Sequence, residues 1–218
     1  MQVVSKVLAK RFVKPVHSSA ISSRRIRVLN RKLGFLLPQE QPLIGLDVGC
    51  GSGELARNLQ FSHKMIIISG TDVLVREDAV IDIVKFDGKR LPFEDKSLDF
   101  TMLVDVLHHT NHPSLLLKEC VRVSRKFILI KDHVCESWWD RWRLSFMDWV
   151  GNRAYDVHLP YNYLSQKVWS RLYHKCGLVC ETSISRLNLY PQPLSLIFDS
   201  NLHFVAKLDI VEISTIKD

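Results

Sequence analysis

Three glycines at alternate positions follow an apolar run: LIGLDV at 43–48 leads into Gly49, Cys50, Gly51, Ser52 and Gly53. A strand that ends in glycines and opens a helix lets backbone N–H groups approach a ligand closely, and the helix start favours a carboxylate or phosphate. Asp72 stands about 20 residues further on, the separation at which an acid can accept both hydroxyls of a ribose. Asp87 follows in KFDG, then Asp105, His108 and His109 in VDVLHHT, and then Lys131, Asp132 and His133 in LIKDHV. Each group comes just after a short aliphatic run. The acids can bind hydroxyl and amino groups, and the histidines can take a proton, since an unperturbed imidazole titrates near about 6.5.

The spacing of the glycines separates two nucleotide chemistries. A dinucleotide site uses G-x-G-x-x-G with a pyrophosphate on the helix start. Here the third glycine comes one residue early, and Asp47 and Glu54 flank the turn. A diphosphate is poorly received there, which disfavours a nucleotide-dependent oxidoreductase. A sulfonium carrying an amino-acid group is better received, because its positive centre and ammonium both gain from nearby carboxylates.

Stepping from these residues to the elements that must hold them, short aliphatic runs near 43–48, 65–71, 82–86, 98–104, 126–131, 178–185 and 202–208 read as strands, with helical patterns between most of them. This βαβ rhythm predicts an α/β fold with a parallel sheet covered on both faces. Pro92, Pro113 and Pro160 fall in the gaps. Ligands in such sheets bind beyond the carboxyl ends of the strands, where the glycines and acids lie.

At 218 residues and 46% hydrophobic, the chain suits one well-buried core. No apolar run approaches the roughly 20 residues of a membrane span, so no transmembrane segment is expected. The five cysteines are odd in number and lack C-x-x-C spacing, which argues against a disulfide framework and points to a reducing, cytoplasmic setting. His174, Cys176 and Cys180 could hold a metal, but buried thiols are the plainer reading, and no metal is expected. The net charge of +7 is uneven: residues 1–39 hold nine Lys or Arg and no acid, and the remainder holds 21 basic against 23 acidic. In that basic helical segment, Val3, Val4, Val7, Leu8 and Phe12 recur at helical spacing opposite Lys6, Lys10 and Lys14. It reads as a packing helix, a surface for peripheral contact with anionic membrane or with an acidic substrate, or a targeting segment. Nucleic acid is not expected, since no aromatic interleaving or known motif accompanies the charge.

LDVGCGSG, then GTDV, then KFDGKRLPFEDKSLDFTMLVDVLHHT resemble the class I S-adenosylmethionine-dependent methyltransferases, specifically the methyltransferase type 11 group, from about residue 24 to 208. The resemblance implies a Rossmann-like, doubly wound, seven-stranded and mostly parallel sheet with an antiparallel last strand and helices on both faces. It implies that Asp47, Gly49, Gly51 and Gly53 surround the methionyl part of S-adenosyl-L-methionine. Asp72 would bind the ribose diol with Val73 beside the adenine, Asp87 the adenine amino group with Gly88 close to the ring, and Asp105 and Val106 would floor the pocket near the sulfonium. The domain would span 40–218, after the basic segment 1–39. A small-molecule acceptor is implied, with His109, His108 and His133 as candidate bases; a member that keeps only the fold, as a binding or assembly module, is the alternative.

All five tryptophans fall within 133–169. Residues 133–165 read either as a lid or as a large helix packed on the sheet. As a lid, Trp138, Trp142, Trp149, Tyr155, Tyr161 and Tyr163 would wall an apolar or aromatic acceptor, with Asp148, Arg153 and His158 as polar handles. LPF at 91–93 reads as loop packing rather than ligand contact.

Overall fold

The computed structural model describes residues 19–152, 160–199 and 201–211, with the side chains of 19–22, 151 and 152 left aside. The segments 1–18 and 153–159 lie outside that description, so the amphipathic pattern of residues 3–14, the wall residue Tyr155 and the handles Arg153 and His158 are not placed.

In chain order the elements are α1 (Ser19–Leu36), β1 (Leu43–Val48), α2 (Glu54–Ser62), β2 (Ile66–Asp72), β3 (Ile83–Lys85), β4 (Leu98–Val104), a 3-10 turn (Leu107–His109), α3 (Pro113–Val123), β5 (Ser124–His133), α4 (Trp138–Asn152), α5 (Gln166–Lys175), β6 (Leu178–Ser185), α6 (Leu194–Phe198) and β7 (His203–Ile210). The strands form one seven-stranded sheet in the order β3-β2-β1-β4-β5-β7-β6. β1 pairs in parallel with β2 and β4, β2 with β3, and β4 with β5. β7 enters antiparallel between β5 and β6. This is the predicted sheet, and all seven expected strands are present.

The central strands are apolar on both sides because both faces are buried. On one face Leu46, Val48, Leu103 and Ile128 pack against Leu116 and Leu117 of α3 and Trp169, Leu172 and Tyr173 of α5. On the other, Leu43, Ile66, Ile68, Phe100 and Met102 meet Leu29 and Leu33 of α1 and Ala56 and Leu59 of α2. The cover thins toward one edge. Among the described elements no helix joins β2 to β3 or β3 to β4, and Ile44, Ile67 and Val84 lie exposed in adjacent strands there.

Local chemistry sets the element ends. Pro113 opens α3, where its missing N–H is no loss. Ser165 caps α5 by accepting from Val168 N–H. Leu91 is buried in the core and Phe93 packs beside it, as expected for LPF. Arg122 fastens that loop, donating to the carbonyls of Leu91 and Phe93 and pairing with Glu119 and Asp95. All five cysteines are free.

Candidate active site

The cleft lies past the carboxyl ends of β1, β2, β3 and β4, where a doubly wound sheet places its ligand. Its volume is about 1080 Å3, ample for a nucleoside joined to an amino acid. Gly49, Gly51, Asp72, Val73, Asp87, Gly88, Asp105, Val106 and His109 line it. The sheet thus brings together eight of the ten expected cofactor residues and one of the three histidines. Asp47 and Gly53 do not line it, nor do His108 and His133.

The glycine turn is left-handed at Gly49, Gly51 and Gly53, with φ of 73°, 60° and 78°. At Gly53 a side chain is also blocked in space, since a Cβ would sit 2.3 Å from Ile81 Cγ1. At Gly51 a Cβ would instead project toward Arg76, with Cζ 3.5 Å away, and narrow the cleft. That bare surface fits close approach by a ligand.

Asp72 ties the turn to the end of β2: Gly51 N–H donates to its Oδ2 at 2.8 Å and Leu74 N–H to its Oδ1 at 3.1 Å. Asp87 Oδ1 accepts from Lys89 and Arg90 N–H at 2.8 and 2.9 Å. Those bonds hold its carboxyl below the usual range. Asp47 is buried within β1, and burial, helped by the nearby Asp72 charge, pushes its carboxyl up to about 8. Its proton is thus held well above the ordinary carboxylate range.

Asp105 adopts φ 57° at the cleft floor, a conformation costly for a residue with a Cβ. Its carboxylate is held by Lys131 of β5 and by Arg25 of α1. Burial opposes its charge, but Lys131 and Arg25 outweigh that and hold it well below the usual range. The basic N-terminal helix thus reaches the site through Arg25, while Arg24 donates to Asn188 O.

Behind this floor sits a polar cluster. Asp132 accepts from Leu107 and His133 N–H and from His108 Nδ1 at 2.7 Å. Burial lowers His108, but the charge and hydrogen bond of Asp132 reverse this and leave it above the ordinary value. Burial and Lys131 drive His133 well below, and His203 down to about 3. Asp148 points inward from α4 and accepts from Tyr163 Oη at 2.5 Å. Burial raises its carboxyl.

The tryptophans do not wall the cleft. Trp138 is 78% exposed and Trp142 and Trp149 about half exposed on α4, where Trp139 and Trp142 stack at 5.0 Å. Trp169 belongs to the core, with Nε1 donating to His133 O. α4 turns Leu144 and Asp148 inward and leaves its tryptophan rings exposed, so among the described residues no aromatic of 133–165 lines the cleft.

Comparison with known proteins agrees with this geometry. Residues 46–127 match the family model described as a methyltransferase domain. An uncharacterized protein of Methanocaldococcus jannaschii, MJ1123, is 30% identical over 83 residues, 38% of this chain and 40% of that protein's length. An S-adenosylmethionine-dependent methyltransferase of Thermotoga maritima superposes with TM-score 0.62 at 21% identity, over 91% of this chain and 97% of that one. A chain from the complex of the Haloferax volcanii Trm112 methyltransferase activator with a methyltransferase superposes with TM-score 0.62 at 14% identity, over 92% and 97%. These structural likenesses show the fold. The domain match covers residues 46–127, from the end of β1 into β5, the part of the chain that builds the cleft.

Several residues of the site carry no sequence signal. Arg25 reaches Asp105 across 80 positions, and His203 meets His133 only because β7 runs antiparallel to β5. Arg76, beside the glycine turn, had no motif to mark it.

Proposed function

We propose that this chain binds S-adenosylmethionine in the cleft and transfers its methyl group to a small acceptor of moderate apolarity. The observation that carries the reading is the convergence of the glycine turn with Asp72, Asp87 and Asp105 at adjacent strand ends. Asp72 uses one lone pair of each oxygen on backbone N–H groups and keeps the others for a ribose diol. Gly88 and Val73 leave room for a flat ring beside Asp87. The bound cofactor supplies an electrophilic methyl on a sulfonium, so the protein's task is alignment of the acceptor at about 3–3.5 Å. His109 at the cleft wall is the base best placed for an acceptor that must lose a proton. His108 and His133 stand behind it.

Replacement of Asp72 by Ala tests the reading. It should weaken S-adenosylmethionine binding by at least tenfold while the circular dichroism spectrum stays native. Unchanged affinity would overturn the site assignment.

A second reading has its own observation. Ile44 and Ile67 lie side by side and exposed on β1 and β2, Val84 is exposed further along on β3, and a solved neighbour is a complex with a methyltransferase activator. On this reading the chain assembles with a protein partner through the thinly covered sheet edge. Substituting Ile67 with Lys should then abolish a complex recovered from cells while leaving cofactor affinity intact.

A further inference from the structure

The partners of the buried histidines fix where their protons sit. The Asp132 carboxylate accepts, so His108 carries its proton on Nδ1, 2.7 Å away. The carbonyl of Phe198, 2.9 Å from His203 Nε2, places that ring's proton on Nε2 and leaves its Nδ1 an acceptor. His203 Nδ1 then has two donors in reach, His133 Nδ1 at 3.2 Å and Lys131 Nζ at 3.5 Å, and the His133 tautomer that donates leaves its own Nε2 bare. In their neutral forms His108 and His133 both turn Nε2 toward the Asp148 carboxylate, at 3.5 and 4.0 Å.

His108 Nε2 is buried without a hydrogen-bond partner, and its side chain is 98% buried. It lies 3.5 Å from Asp148 Oδ2. His133 Nε2 lies 3.7 Å from Asp105 Oδ1 and 4.0 Å from Asp148 Oδ1. One ligand atom each from Asp105, His108 and His133 can be chosen so that all lie within 4.8 Å of one another. Asp105 already has Lys131 and Arg25 as counter-charges, whereas buried His108 Nε2 has no hydrogen-bond partner. Ligands at about 2.0–2.1 Å from a tetrahedral ion stand about 3.3 Å apart, so atoms spread within 4.8 Å must close by up to about 1.5 Å to form a coordination shell.

We propose that His108 Nε2, His133 Nε2 and Asp105 Oδ1 form a binding site for a first-row divalent transition metal, with Asp148 at its rim. Two imidazoles and one carboxylate are a ligand set taken by iron(II) and, with an open position, by catalytic zinc. Asp132 behind His108 and His203 behind His133 orient the rings as outer partners do in metal sites. This departs from the expectation of no metal drawn from the sequence. Asp105 also lines the cleft. The ion would therefore stand beside the bound acceptor and could acidify its hydroxyl, a role that rests on the methyl-transfer reading although the site itself does not. Lys131 holds the same carboxylate oxygen, so its ammonium competes with the ion.

The test uses the full chain, stripped of metal by chelation and titrated with Co2+ by visible absorption and with Zn2+ by calorimetry. One equivalent should bind with micromolar or tighter affinity. His108→Ala and His133→Ala should each weaken it by at least 100-fold, and Asp132→Asn by about 10–100-fold. Lys131→Met should tighten it. X-ray absorption of the wild-type cobalt complex should show two imidazole ligands, a readout that stands even if a histidine variant fails to fold. No binding by folded wild-type protein, or binding without imidazole ligands, would overturn the proposal. S-adenosylmethionine titrated into the same metal-free protein tests the cofactor assignment separately.

Discussion

Replacing Asp47 with Asn isolates the electrostatic penalty stored under the glycine turn. Asp47 is buried, and its carboxyl is pushed up to about 8, chiefly by desolvation and then by Asp72. In the unfolded chain it titrates near about 3.9. Between those values the folded state holds a proton that the unfolded state releases, so stability falls as pH rises through that window. At roughly 1.4 kcal/mol per pH unit, this group costs about 1.5 kcal/mol at pH 5, about 4 at pH 7 and between about 5 and 6 at pH 9. Asn cannot ionise. Any loss from burying its amide is the same at every pH, so the informative quantity is the change in the difference between the two proteins. Urea unfolding at pH 5, 7 and 9 should show the Asn variant gaining on the wild type by roughly 4 kcal/mol across the series. A difference that stays constant within 1 kcal/mol would refute the reasoning, because Asp47 would then titrate alike in both states.

Other perturbations read other parts of the structure. Gly53→Ala should destabilise by about 1–3 kcal/mol in urea unfolding, from its φ of 78° and the crowding by Ile81. Trp169→Ala should cost about 3–5 kcal/mol, since it empties a core position and removes the donor to His133 O. Trp142→Ala should change unfolding stability by less than about 1 kcal/mol and leave cofactor affinity as it is, because that ring is half exposed and away from the cleft. A tenfold loss of affinity in that variant would restore the aromatic lid.

The strands were readable because each is a short aliphatic run closed by a polar or glycine residue, and the acids at Asp72 and Asp87 could be placed because a strand end fixes where the next side chain falls. Asp105 shows the limit. Its position at the cleft floor followed from VDV after β4, but its charge is bound by Arg25 and Lys131, pairs made by packing distant segments. Asp47 shows another: its place in LDVG suggested a ligand contact, whereas it is buried within β1 and does not line the cleft. The ring spacing of α4 is the same whether the aromatics face inward or outward, so sequence could not orient them. The inward residue is Asp148, one step from Trp149.

Calorimetric titration of the purified chain with S-adenosylmethionine, S-adenosylhomocysteine and NAD in parallel tests the central claim most directly. Micromolar binding of both sulfur compounds, with no heat from NAD, is the result predicted by the glycine turn and Asp72. Absence of binding by both sulfur compounds would contradict the cofactor site and leave the fold as a binding module.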